Sequence, residues 1–220
     1  MLEPLLLASL RITEIFYSLQ GEARTVGRPT VFVRLTGCPL RCQYCDTTYS
    51  FSGGSVYSLE QVVAQVGQWN TKQVTVTGGE PLAQRNCLLL LTELCDLGYE
   101  VSLETSGALP IDRVDQRVSV VLDLKTPDSG ESHRNLYTNI PLLKPIDQVK
   151  FVICSRADYD WARFKVDEYR LTEKVDDVLF SPSQGQIQAV ELADWIIEDQ
   201  LDVRFQMQLH KILWADEPGR

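Results

Sequence analysis

The chain has 220 residues, 44% hydrophobic and 23% charged, with a formal net charge of −9. That composition describes a globular chain with a real core, read as one domain over 1–220. The acidic balance excludes a general nucleic-acid binder, which carries a basic face, and no stretch approaches the ~20 apolar residues of a membrane span. The N-terminal "MLEPLLLASLR" has a short apolar run, but Glu3 precedes it and no basic segment does. It is not read as a signal peptide, and a cytoplasmic, reducing setting is expected.

In chain order, "RITEIFYS" (11–18) reads as a strand at the sheet edge and "RPTVFVRLTG" (28–37) as the first interior strand. "SLEQVVAQVGQW" (58–69) is an amphipathic helix with Ser58 as N-cap. "KQVTVTG" (72–78) is a strand, and "LAQRNCLLLLTELCDLG" (82–98) a helix that stops at Gly98. Strands follow at "YEVSLETSG" (99–107), "RVSVVLDLK" (117–125) and "DQVKFVIC" (147–154). The intervening 126–146 is irregular, with Pro127, Gly130, Pro141 and Pro145. Helices over 156–171 and 185–200 flank the strand "DDVLFSP" (176–182), and "DVRFQMQL" (202–209) closes the series. Strands alternating with helices predict βα units and a parallel sheet, as a partial barrel or an open doubly wound sheet. Both architectures place functional residues at the strand C-terminal ends. There stand Gly37-Cys38, Gly78-Gly79-Glu80, Glu104-Thr105-Ser106-Gly107, Asp123-Leu124-Lys125 and Ser181-Pro182-Ser183.

Three of the six cysteines, Cys38, Cys42 and Cys45, form a C-x-x-x-C-x-x-C run directly after the first interior strand. Thiolates select zinc, copper(I) or iron–sulfur clusters. A structural zinc normally takes four ligands, and neither His133 nor His210 stands at ligand spacing for a fourth. A 4Fe–4S cube on three thiolates instead leaves one iron open to a small molecule, which makes the absent fourth cysteine a requirement of the chemistry. Cys87, Cys95 and Cys154 lie in apolar patterns and are expected in the core.

The cysteine run, with Tyr44 before its last member, resembles the radical S-adenosylmethionine superfamily, as does "TVTGGEPL" (75–82) with its Gly-Gly-Glu-Pro. "FYSLQGEARTVGRPTVFVRLTGCPLRCQYCDTTYSF" (16–51) is similar nearly end to end to the 7-carboxy-7-deazaguanine synthases of the queuosine precursor pathway. It carries Ser18-Leu19-Gln20-Gly21-Glu22, Phe32-Val33-Arg34 and Cys45-Asp46-Thr47. "LETSG" (103–107) and the late "QLHK" (208–211) fit as well. Position 23 is Ala where that family often has a second Gly, and the tail "ILWADEPGR" is longer.

The resemblance implies a trimmed barrel of about six parallel strands holding a 4Fe–4S cluster on Cys38, Cys42 and Cys45. It implies a carbon–nitrogen lyase that turns 6-carboxy-5,6,7,8-tetrahydropterin into 7-carboxy-7-deazaguanine with loss of ammonia. S-adenosylmethionine (SAM) would be held by Tyr44, Cys45, Asp46, Gly78, Gly79, Glu80, Gly107, Asp123, Leu124, Lys125, Ser181, Pro182 and Ser183. The pterin would be held by Leu19, Gln20, Gly21, Arg34, Thr105 and His210, with Mg²⁺ on Thr47. A flavodoxin- or ferredoxin-type electron donor and a homodimer are also implied. Two alternatives share the cysteine loop: an enzyme that installs a glycyl radical on a partner protein, and a zinc-stabilised binding module. Ser-Leu-Gln-Gly-Glu and Cys-Asp-Thr argue against the first.

Overall fold

The computed structural model describes residues 8–215, 217 and 219. The apolar run at 1–7 and part of the C-terminal tail lie outside them. Nine strands form one sheet in the order β3-β1-β2-β4-β5-β6-β7-β8-β9. The strands are β1 (Ser9–Leu19), β2 (Pro29–Leu35), β3 (Ser55–Ser58), β4 (Gln73–Gly78), β5 (Glu100–Thr105), β6 (Ser119–Asp123), β7 (Gln148–Ile153), β8 (Asp177–Pro182) and β9 (Arg204–Phe205). From β2 to β9 every neighbouring pair runs parallel. β1 is antiparallel to both β2 and β3. The sheet does not close on itself, as a partial barrel requires.

Two elements differ from the sequence expectation. β1 is not the edge, because β3 pairs outside it. β3 escapes notice because its last residue, Ser58, is also the helix N-cap. The Ser58 Oγ accepts from the Gln61 amide at 3.2 Å, and Gln61 returns a bond to the Ser58 N–H at 2.8 Å. The strand expected over 202–209 shrinks to Arg204–Phe205, and its last residue, Leu209, opens a short helix, Leu209–Trp214.

The helices are α1 (Leu59–Val66), α2 (Cys87–Asp96), α3 (Arg156–Tyr169), α4 (Leu171–Lys174), α5 (Ala189–Glu198) and α6 (Leu209–Trp214). Between β6 and β7 only short 3₁₀ turns occur, in keeping with the prolines of 126–146. Period-two alternation sorts each parallel strand into two faces. One face carries Val31, Val33, Val74, Val76, Leu103, Val120, Leu122, Val149, Phe151 and Phe180. It packs under Val62, Leu90, Leu91, Leu94, Tyr159 and Leu192 of the helices, together with the predicted core residues Cys87 and Cys95. The opposite face carries Phe32, Arg34, Thr77, Glu104, Val121, Asp123, Lys150 and Val152, and it encloses a cavity of about 530 Å³.

The β1–β2 loop plugs that inner face from the end where the strands begin. Arg24 pairs with Asp177 at 2.7 Å, and its N–H donates to Gln148 at 2.7 Å. Ala23 packs on Val121 and Leu179 and exchanges two bonds with the Gln206 amide. Its φ is +61°, the left-handed conformation for which glycine is the usual residue. Here the alanine methyl fills the barrel interior instead.

Candidate active site

The loop after β2 carries the three cysteines and is tied on several sides. The Gly37 N–H donates to Ser50 O at 2.7 Å, and the Glu80 N–H donates to Gly37 O at 2.8 Å. The Gln43 N–H donates to Ser129 O at 3.1 Å, and the Arg41 N–H to the Glu131 carboxylate at 2.7 Å. The Arg41 guanidinium closes back on the carbonyls of Cys38 and Leu40 and lies 4.2 Å over the Phe51 ring. β4 ends hard against this loop. A Cβ on Gly79 would stand 2.4 Å from Gly37 O and 2.7 Å from Cys38 Cβ, so only glycine fits.

Cys38, Cys42 and Cys45 are half-buried, unpaired and line the cavity together. Burial raises the Cys38 thiol and pushes Cys42 up to about 11, so a metal must displace protons to bind there. Among the described residues no three His, Cys, Asp or Glu side chains gather tightly enough to share one metal ion. A polynuclear cluster takes its thiolates at separate corners and needs no such gathering.

Beside the thiols, two buried polar atoms that line the cavity have no hydrogen-bond partner: the Tyr44 hydroxyl and Asp123 Oδ1. Such atoms are costly unless a ligand meets them. Asp123 Oδ2 accepts from Lys125 Nζ at 2.9 Å, and that ammonium sits 5.6 Å from the Tyr44 ring centroid. Burial works against the Lys125 charge, but Asp123 together with Tyr44 and Cys42 outweighs it, and the pKa stands well above the ordinary value. These groups, the thiols and the Gly79 cradle fit a thiolate-held cluster with a polar ligand next to it.

The far side of the cavity is a second polar set. Arg34 faces Glu14 across β1 and β2, where a register shift between Ile12 and Glu14 brings the two opposite each other. Arg34 Nε donates to Glu14 Oε1 at 2.7 Å, and the Tyr49 hydroxyl donates to the same oxygen at 2.9 Å. The Phe16 and Tyr49 rings lie 5.8 and 5.9 Å from the guanidinium. Glu22 pairs with Lys150 and also accepts from Gln208. Burial would raise the Glu22 carboxyl, but Lys150 holds it below its ordinary value. His210 presses on Gly21, where a Cβ would come within 2.1 Å of Nδ1. Burial lowers the His210 pKa despite the opposing charges of Glu22 and Asp46. Lys211 spans to Asp46 at 3.1 Å and joins α6 to the cysteine loop.

Most predicted site residues therefore line one cavity: Leu19, Gly21, Arg34, the three cysteines, Tyr44, Asp46, Thr47, Gly78, Gly79, Thr105, Asp123, Lys125, Ser183 and His210. Leu124 does not, because strand alternation turns it into the apolar core. Gln20 lies beneath the floor, donating to Thr75 at 3.1 Å. Gly107, Ser181 and Pro182 do not line the cavity; the Ser181 hydroxyl is buried and unpartnered. Glu80 is sealed off: its carboxylate accepts from the Leu82 N–H, the Thr105 hydroxyl and both donors of Ser106. It organises the end of β5 and is not open to a ligand. Glu22, Glu104 and Gln208 fall in the motifs quoted above without a site role, and Lys150 is missed altogether; all four line the cavity. Their signal was a charged or amide residue at alternate positions within otherwise apolar strands and at the adjoining loops.

A family model described as the Radical SAM superfamily matches residues 32–139, the segment that contains the cysteine loop and the β4 end. The fold and the site define a radical SAM enzyme. A 7-carboxy-7-deazaguanine synthase from Chlorobaculum tepidum is 43% identical over 94% of this chain and 95% of its own length. One from Koribacter versatilis is 42% identical over 94% and 98%. This chain belongs to the 7-carboxy-7-deazaguanine synthase family. The crystal structure of QueE from Escherichia coli matches with a TM-score of 0.74 at 24% identity, covering 92% of this chain and 95% of that one, which shows the shared fold. A 4Fe–4S cluster and SAM come with the superfamily.

Proposed function

We propose that the enzyme converts 6-carboxy-5,6,7,8-tetrahydropterin to 7-carboxy-7-deazaguanine with release of ammonia, a step in queuosine precursor synthesis. One observation carries this: a single cavity has three thiols on one wall and an arginine and a charged polar floor on the other. When bound, the cluster and SAM supply a carbon radical able to take a hydrogen atom. The chain binds, orients and excludes water.

Cys38, Cys42 and Cys45 hold the cluster. Tyr44, Asp123 and Lys125 offer the polar partners for SAM, and Gly78 and Gly79 allow close backbone approach. Arg34 has Nε committed to Glu14, which leaves the rest of its fork for the substrate carboxylate. Thr105 and Gly21 border the pterin, and His210 closes over it. Thr47 Oγ1 lines the cavity 3.8 Å from Cys45 Sγ, where it can serve as an oxygen ligand to Mg²⁺. A cytoplasmic homodimer with a flavodoxin- or ferredoxin-type donor completes the proposal, on resemblance.

The test is anaerobic incubation with SAM, reductant and either the 6-carboxylated tetrahydropterin or the same ring without its carboxylate. A deazapurine and ammonia are expected from the first alone. Equal turnover of both would remove the assigned role of Arg34, and turnover of neither would overturn the substrate.

A further inference from the structure

Glu104 is a carboxyl on the cavity floor with no role among the groups described so far. It points inward from β5, across from the apolar Val121 of β6. Its Oε2 accepts a hydrogen bond from the Thr77 hydroxyl at 2.9 Å, and its Oε1 accepts only a long 3.4 Å contact from the Gln20 amide. Both partners are neutral. Lys150, the cation that acts on it most strongly, is already paired with Glu22, and Glu22 adds a second negative charge to the same floor. Arg34 is turned to Glu14. A second carboxylate on this floor has no cation of its own, so the neutral acid is favoured. Burial, then the Glu22 charge, raise the Glu104 pKa above its ordinary value, and Lys150, Thr77 and Arg34 only partly oppose this.

We infer that Glu104 is a specificity-determining residue that meets the heterocycle through a neutral carboxyl group. Thr77 fixes Oε2, and the loosely held Oε1 edge presents an O–H donor to a ring nitrogen or carbonyl oxygen. The inference rests on the pterin assignment above and extends it by naming which hydrogen-bonding edge of the ring turns toward β5. An ionised Glu104 would select the opposite edge, the one bearing N–H donors.

The probe is 6-carboxypterin, whose aromatic C6 has no hydrogen to lose, titrated anaerobically into the cluster-loaded, SAM-bound enzyme and its Glu104→Gln and Glu104→Ala variants. SAM affinity of each variant reports that it is folded. Glu104→Gln keeps a donor and cannot ionise, so its affinity should stay within about threefold of wild type, whereas Glu104→Ala should lose about tenfold or more. Wild-type affinity should fall as pH rises and Glu104 ionises, and Glu104→Gln should lack that loss. Equal binding by Glu104→Ala and wild type overturns the contact. Glu104→Gln binding as poorly as Glu104→Ala overturns the neutral donor. Failure of wild type to bind the probe, with SAM binding intact, overturns the pterin assignment and this inference with it.

Discussion

Arg34 can meet a ligand because its other side is held. Glu14 takes Nε, two rings flank the guanidinium, and the shift in β1 sets that alignment. Lysine keeps the charge but has neither the fork nor an Nε for Glu14. Arg34→Lys should weaken substrate binding by about 1–3 kcal/mol while leaving SAM affinity close to wild type, as separate titrations of the two ligands will show. Equal loss of both would point to a folding role. Glu22 and Lys150 make a different bet, on burial of a charge pair. Removing one partner strands the other, so Lys150→Met should destabilise by about 3–5 kcal/mol, and the double variant Glu22→Gln/Lys150→Met should recover most of it. The pH sign follows from the lowered Glu22 pKa. Its contribution is full above the ordinary value of 4.5 and disappears as pH falls through the lower folded value. Urea unfolding near neutrality and again in acid should show the double variant losing less than wild type on acidification. Thr47 separates metal from turn. If Thr47 carries the proposed Mg²⁺, Thr47→Ser should respond to added Mg²⁺ as wild type does and Thr47→Ala should lose much of that response, with cluster content matched; an unchanged response in Thr47→Ala would make it a turn residue.

At the scale of elements, the end of β4 and the cysteine loop form one unit, because Gly79 lets their backbones touch. Gly79→Ala should push Gly37 and Cys38 of the cysteine loop away from the end of β4 and lower iron loading per chain. The sheet should survive, since Val74 and Val76 still pack in the core. Iron analysis beside far-ultraviolet circular dichroism reads both effects; intact loading would mean that the loop can shift freely. Here, too, the limits of sequence show. The interior strands and their polar ends were readable from β-branched runs that stop at Gly, Ser or Asp. β3 was not, because four residues ending in a helix cap give too short an alternation. Nor was α6, whose place depends on contacts with Gly21, Glu22 and Asp46 far away in sequence. Glu80 was legible as a motif residue but not in its orientation, which Thr105 and Ser106 determine from the next strand.

Across the whole molecule, the sheet divides the work between its faces. The helix-covered face is apolar and carries the fold, and the other encloses the chemistry. This division explains why substituting Cys87 should spare the cluster at a cost in packing, whereas substituting Cys42 should abolish it. The thiol wall and the Arg34 floor line one cavity, so a cluster held by Cys38, Cys42 and Cys45 and a pterin held by Arg34 would share one reaction space, with C6 of the pterin open to loss of its hydrogen atom. Single-turnover reaction with 6-carboxytetrahydropterin bearing deuterium at C6 tests it most directly, with mass analysis of the 5′-deoxyadenosyl carbon. Deuterium should appear there in the wild-type enzyme and be absent when Cys42→Ala is used. SAM cleavage at full cluster loading, with substrate bound and no deuterium transferred, would contradict it.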